Sequence, residues 1–288
     1  MSKSRVLILG SKGFIGSLLM KTLNFADSID IFGIDSTDID LTDRYASHKL
    51  ISYMDNYEID SVIILAAIKR QDGDSVCIMN TNNIISRNIV ASLSACKKSI
   101  YCIYVSSMAV YGEQNNQKLF TEDSDIKPSS FYGNHKIYSE ELYRTYLDKF
   151  NLTIFRPPLL YSHASKGGYH PGGFYTKAVS DKEIILWGDG TELRELIHIY
   201  DMVNILIKSL RLKPVGTFNI CSGSSFSYSN IIEYLHNFLD FNVKYNPRSL
   251  PKVDHTYDPG KFIKTFGNYD FITPYSAIKF RHFSTATL

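Results

Sequence analysis

Apolar runs and helical periodicities alternate along the first half of the chain. RVLIL (5–9) is a short apolar run that closes on Gly10, and residues 14–23 then follow a helical pattern. IDIFGID (29–35) predicts a second strand, residues 44–56 a helix, and SVIILAA (61–67) a strand buried on both faces. A helix at about 75–97, the strand IYCIYVS (100–106), a helix at about 131–149 after Pro128-Ser129-Ser130, and the strand LTIFR (152–156) complete the series. Parallel neighbours need crossover connections, so this alternation predicts an α/β fold with a doubly wound parallel sheet. From 157 to 198 the chain turns rich in Gly, Pro and aromatics, which predicts a loop-built lobe with sparse regular structure. A helix at about 200–211 and the strand TFNIC (217–221) can rejoin the sheet, and a helix at about 227–239 and a short tail follow. The expected organisation is a main domain of 1–156 plus about 199–222, and a small interleaved lobe of 157–198 and 223–288. A ligand is expected beyond the carboxyl ends of the strands, in the cleft between domain and lobe.

Composition narrows the function classes. The 288 residues are 44% hydrophobic and 21% charged with a formal net charge of +2, so no field for nucleic acid or a membrane surface is indicated. No apolar run reaches the ~20 residues of a membrane span, and the start, MSKSRVLILGSKGFIG, ends its apolar run in glycines, unlike a signal peptide. Cys77, Cys96, Cys102 and Cys221 are scattered and read as small buried hydrophobes, which suits a reducing cytoplasm.

GSKGFIG stands between the first strand and the first helix. Gly10 permits a tight turn, Gly13 lets backbone approach a pyrophosphate, and Gly16 allows helix and strand to pack closely. The free N–H groups around Phe14 and Ile15 face the phosphates. The spacing is GxxGxxG, and a merely tight turn is the competing reading. Asp35 ends the second strand, where an acid accepts hydrogen bonds from the adenosine ribose and repels a 2′-phosphate. That favours NAD. Lys12, between the glycines, could reach such a phosphate and keeps NADP as the alternative.

FYGNHKIY puts Tyr132 and Lys136 at i and i+4, on one face of a helix. A nearby cation lowers the pKa of a phenol toward use as a base. A chance pair is the competing reading in a chain with 20 tyrosines. Ser106 and Ser107 end the preceding strand, where a hydroxyl can hold a substrate oxygen or simply start a turn.

Taken together, these segments resemble an extended short-chain dehydrogenase/reductase of the nucleotide-sugar epimerase/dehydratase family, over nearly the whole chain. GSKGFIG is similar to that family's cofactor loop, IDLTD (39–43) to its adenine segment through Asp40 and Leu41, and IILAA (63–67) to the strand end beside the cofactor through Leu65, Ala66 and Ala67. Asn80, in CIMNTNN, matches a recurring helix asparagine. SSMAVYG supplies Ser107 at the catalytic hydroxyl position, YGNHK the catalytic Tyr132 and Lys136, and RELIHIYD (194–201) a leading Arg194 that resembles the diphosphate-binding arginine. FNICSG (218–223) is a further likeness.

The resemblance implies a Rossmann-type dinucleotide-binding domain, a substrate lobe, a nucleotide-diphosphate sugar as substrate, cytoplasmic location and a homodimer built on two long helices. It implies Tyr132 as base at a sugar hydroxyl, Lys136 as its cation and ribose ligand, and Ser107 as holder of the reacting oxygen. Family 4,6-dehydratases carry an Asp-Glu pair where this chain has Met108-Ala109, and elimination needs that acid and base. Epimerisation at C4 or reduction of a 4-keto sugar remains. Asp35 favours the epimerase and Lys12 suits the reductase. Leu159 stands near a position where epimerases carry asparagine. His163 and His170 are substrate contacts or surface histidines, and Trp187 flanks the ligand or belongs to the core. A non-catalytic dinucleotide sensor on the same fold is the reading from another class.

Overall fold

Between Ser4 and Arg156, strands and helices alternate as the apolar pattern predicts. They are β1 (Ser4–Leu9), α1 (Phe14–Leu23), β2 (Ile29–Ile34), α2 (Ala46–Asn56), β3 (Ser61–Ile64), α3 (Val76–Ala95), β4 (Tyr101–Val105), α4 (Phe131–Tyr146) and β5 (Leu152–Arg156). The chain continues with β6 (Leu159–Tyr161), α5 (Gly172–Ser180), β7 (Glu183–Trp187), β8 (Leu193–His198), α6 (Ile199–Leu212) and β9 (Gly216–Asn219). It ends with β10 (Ser225–Ser227), α7 (Tyr228–Leu235), β11 (Asn242–Asn246), α8 (Gly260–Phe266) and α9 (Pro274–Thr285). This computed structural model describes residues 3–24, 28–113, 115, 117–147, 151–162, 172–248 and 251–285.

Six strands form one sheet in the order β2-β1-β3-β4-β5-β9. The pairs β1–β2, β1–β3, β3–β4 and β4–β5 are parallel, so the order reverses beside β1 and the sheet is doubly wound. Every residue of β3, β4 and β5 is buried, the reason these strands read as continuous apolar runs. Leu7, Leu9, Val62, Ile64, Ile89 and Ile154 belong to the core of this unit. Each such side chain contributes roughly 1.5–3 kcal/mol on burial.

Local signals set the helix starts. Ser75 accepts a hydrogen bond from the Ile78 N–H at 3.3 Å, and Ser130 one from Gly133 at 3.0 Å. β3 is shorter than expected: it ends at Ile64, not at 67. Its neighbour β1 ends at Leu9 and Gly10 turns away at φ +91°, so only the Leu65 N–H still finds a partner, Leu9 O at 2.9 Å.

Two units emerge. The first comprises Met1–Glu113, Asp125–Arg156 and Val203–Phe218, and the second Gln114–Ser124, Pro157–Met202 and Asn219–Leu288. The second is more regular than its composition suggests. It carries a three-stranded sheet, β10-β8-β6, and a two-stranded one, β11-β7. A core of Tyr161, Phe174, Leu196, Ile231 and Leu235 closes it. The short tail of the sequence reading is in fact β11, α8 and α9. Aromatics that read as loop residues are core here, because aromatic–aromatic packing substitutes for long aliphatic runs. The cysteines divide: Cys102 and Cys221 are buried, Cys96 is half-buried, and Cys77 is exposed, contrary to the expectation for all four. No described helix is long and apolar enough to cross a membrane.

Candidate active site

The turn after β1 has the form a dinucleotide needs. A Cβ on Gly16 would lie 2.2 Å from the Gly10 carbonyl oxygen, so only glycine lets α1 start so close to the strand end. Gly13 precedes α1 in extended conformation, and no side chain caps the helix. The first N–H groups of α1 therefore have no intrahelical partner and suit phosphate oxygens. Phe14 is exposed and Ile15 half-buried in that first turn. Leu65, Ala66 and Ala67 are half-buried just beyond β3, and the Ala66 backbone runs close beside Gly10.

Asp35 follows β2 with its side chain 9% exposed. Its Oδ1 accepts from the Thr37 N–H at 2.7 Å and the Thr37 hydroxyl at 2.6 Å. Lys12 Nζ sits 2.5 Å from Oδ2 and 3.2 Å from the Thr37 hydroxyl oxygen. Lys12 and then Thr37 hold the Asp35 carboxyl well below the usual carboxylate range. Asp40 is exposed and its Oδ1 accepts from the Thr42 N–H and hydroxyl, whereas Leu41 is a core residue. The glycine turn, the uncapped helix and the carboxylate at the end of β2 fit a nicotinamide dinucleotide.

The sequence points to Asn80 as the helix asparagine. Asn80 is exposed on α3. Asn82, 1% exposed, instead accepts from the Ile68 N–H at 2.7 Å and donates to Ile68 O at 3.0 Å, pinning the loop after β3. Asn82 shares the buried face of α3 with Ile85, Ser86 and Ile89, and that 3–4 spacing is the signal that identifies it.

Ser107, Tyr132 and Lys136 come together. Ser107 precedes a 3-10 turn, Met108–Tyr111, and its Oγ accepts from the Ala109 N–H at 3.1 Å. A Cβ on Gly133 would lie 2.7 Å from the Ala109 carbonyl oxygen, so the glycine of YGNHK lets this turn lie against α4. The Ser107 side chain thereby comes beside the Tyr132 phenol and acts to lower its pKa. At the start of α4, the Tyr132 N–H donates to Asp74 Oδ1 at 2.9 Å. Lys136, 4% exposed, donates from Nζ to Val105 O at 2.9 Å, with Nζ 5.4 Å from the Tyr132 ring centre.

The electrostatics depart from the sequence expectation. Burial pushes the Tyr132 phenol up to about 12, against the lowering effects of Ser107 and of the Arg70 charge. Burial draws the Lys136 ammonium down to about 8, while Glu140 acts to raise it. In the protein alone the phenol is therefore raised and not lowered.

Ser106 has a different part from Ser107. Its hydroxyl donates to Glu140 Oε1 at 2.5 Å. Glu140, fully buried, is in turn gripped by Arg156 through Nε at 3.0 Å and Nη2 at 2.6 Å. Sequence reading missed both residues, since a lone Glu and a lone Arg carry no local signature.

In the second unit, Arg194 on β8 is half-buried and donates from Nη1 to Leu193 O at 2.8 Å and to Val253 O at 2.6 Å. Trp187 is 63% exposed, which excludes the core alternative. Leu159 is half-buried in β6. His163 and His170 lie outside the described residues.

Comparison with known proteins matches the chain to one family. A profile of the NAD dependent epimerase/dehydratase family matches residues 6–221. The chain is 24% identical over 276 residues to GDP-6-deoxy-D-talose 4-dehydrogenase of Aggregatibacter actinomycetemcomitans, covering 92% of each chain. It is 24% identical over 225 residues to N-acetyl-alpha-D-glucosaminyl-diphospho-ditrans,octacis-undecaprenol 4-epimerase of Escherichia coli O157:H7, covering 73% of this chain and 64% of that protein. Among solved structures, UDP-glucuronic acid 4-epimerase from Bacillus cereus, in complex with UDP-glucuronic acid and NAD, superimposes with a TM-score of 0.82. It is 22% identical, covering 98% of this chain and 99% of that one.

Proposed function

The chain belongs to the NAD dependent epimerase/dehydratase family, and from that premise we propose that it is a nucleotide-sugar 4-epimerase. The observation that carries this reading is the meeting of Ser107, Tyr132 and Lys136 beside the end of β4. Gly10, Gly13, Gly16 and Asp35 would hold NAD, with Leu65, Ala66 and Ala67 alongside it and Asn82 fixing the neighbouring loop. When bound, the nicotinamide supplies the hydride acceptor and donor, and its oxidised form adds positive charge.

Ser107 holds the C4 oxygen of the sugar and Tyr132 takes its proton. Lys136 gives the phenolate a neighbouring cation, and the charge of an oxidised nicotinamide would lower the tyrosine further from about 12. The same tyrosine returns the proton when the C4 oxygen regains it. Arg194 binds the diphosphate, and the second unit acts as the substrate lobe. The names of two relatives as 4-epimerases and of a third as a 4-dehydrogenase support this reading.

The test is a panel of UDP-, dTDP-, GDP- and CDP-sugars with the cofactor that native mass spectrometry finds on the purified protein. Expected is conversion of one sugar to its 4-epimer on catalytic NAD, with no lasting change in nicotinamide absorbance. Met108 and Ala109 cannot serve as acid and base, so no 4-keto-6-deoxy product is expected from a dehydratase substrate. Such a product would refute the reading.

One observation favours a 4-ketoreductase instead: Lys12 is already paired with Asp35. Stoichiometric consumption of reduced cofactor with a 4-keto-6-deoxy sugar nucleotide would establish that alternative. Lys12→Ala is expected to increase the preference for NAD over NADP by up to about fivefold, as befits an exposed ion pair. Binding titration with each dinucleotide measures this directly.

A further inference from the structure

The segment that carries Ser107 is held on both sides by one buried ion pair. Before Ser107, the Ser106 hydroxyl donates to Glu140 Oε1 at 2.5 Å. After it, at the end of the 3-10 turn, the Tyr111 hydroxyl accepts from Arg156 Nη1 at 2.9 Å. Glu140 and Arg156 bind each other through two parallel hydrogen bonds at 3.0 and 2.6 Å, and both are buried. A third tie, Lys136 Nζ to Val105 O at 2.9 Å, adjoins the first. Lys136 and Glu140 are one helical turn apart on α4, so one face of that helix carries the Tyr132–Lys136 pair and the anchor for the strand end.

The bidentate geometry matters physically. A guanidinium and a carboxylate joined by two bonds cannot rotate about a single contact, so the pair fixes direction as well as distance. The Glu140 carboxylate also accepts from Arg144 Nη2 at 2.8 Å, and the pair reaches both residues that flank the Ser107 turn. Among the described residues, the Ser107 hydroxyl accepts from the Ala109 N–H and lies beside the Tyr132 phenol. The Ser107 hydroxyl is therefore placed by the backbone that Ser106 and Tyr111 immobilise.

We propose that Glu140 and Arg156 are positioning residues, clamping residues 106–111 on both sides of Ser107 so that its hydroxyl meets Tyr132. The clamp rests on the reaction assigned above, and misplacing a reacting group by about 1 Å can cost up to 10²-fold in rate. Ser106→Ala and Tyr111→Phe each release one side and leave the ion pair whole.

Each variant is measured with the sugar nucleotide found by the panel, and by hydrogen exchange of the peptide 105–112. Expected is a fall in kcat of about tenfold for either variant, with KM and NAD affinity within about twofold of the parent. Exchange at 105–112 should quicken while 101–104 stays as in the parent. Ser106→Thr, which keeps the hydroxyl, should recover kcat. Earlier melting with unchanged kcat well below the transition would reveal a packing role only and overturn the proposal, as would unchanged exchange at 105–112. If the parent turns over no sugar nucleotide, the reaction reading fails. Exchange then decides the clamp: quickened exchange supports it and unchanged exchange removes it.

Discussion

Tyr132→Phe is expected to lower turnover by about 10²–10⁴-fold, the usual contribution of a general acid–base group. NAD affinity should stay close to that of the parent, because the phenol oxygen is all that is lost and the ring still packs beside Lys136. Steady-state kinetics with the panel substrate and a binding titration with NAD separate the two. Equal turnover in parent and variant would remove Tyr132 from the reaction. Equal silence in both, with NAD still bound, would favour the non-catalytic sensor. The pH profile adds a sign. Burial holds the phenol near 12 in the protein alone, so the rise in kcat with pH should appear far below that value only when added positive charge lowers it. A profile still climbing at pH 10 would mean the tyrosine is not activated in the complex.

Arg156→Met is expected to destabilise the protein by about 3–5 kcal/mol, the usual cost of stranding one member of a buried ion pair. At roughly 2–4 °C per kcal/mol for a chain of this size, the melting temperature should fall by about 10 °C. Arg144 still reaches Glu140 Oε2 at 2.8 Å, which favours the lower end of the range. Burial acts to raise the Glu140 carboxyl, but Arg156, with Ser106 and Arg144, outweighs it and the group is lowered. Its stabilising contribution is thus present above the unfolded carboxylate value, about 4.3, and is lost as pH falls through the folded one. The gap between parent and Arg156→Met should accordingly narrow on acidification below about pH 4.5. Calorimetry at neutral and acid pH checks this. Adding Glu140→Leu to Arg156→Met removes the stranded charge and should restore part of the loss; no restoration would argue against Glu140 as its source.

Residues whose role is local were legible in the chain. The glycines of GSKGFIG report a turn that only glycine can make, and the i, i+4 spacing of Tyr132 and Lys136 reports a shared helix face. The two serines were separable only in part. Both follow β4, but adjacent residues in extended chain point to opposite sides, and what lies on each side belongs to other elements. Ser106 meets Glu140 on α4, and Ser107 meets the phenol of Tyr132. Asn80 and Asn82 pose the same difficulty on a helix, where two residues' displacement turns a side chain from solvent to core.

The order of strands and helices from Ser4 to Arg156, the parallel doubly wound sheet and the glycine turn follow from one-dimensional signals, because periodicity and backbone freedom are properties of neighbouring residues. Met108-Ala109 belongs with them, since two side chains without an ionisable group lack acid–base chemistry in any fold. The clamp of Glu140 and Arg156, the pairing of Lys12 with Asp35 and the raised phenol of Tyr132 were beyond that reach. Each depends on groups far apart in the chain that folding brings within a few ångströms. Each also depends on the water that folding removes, and desolvation has no signature in a list of residues.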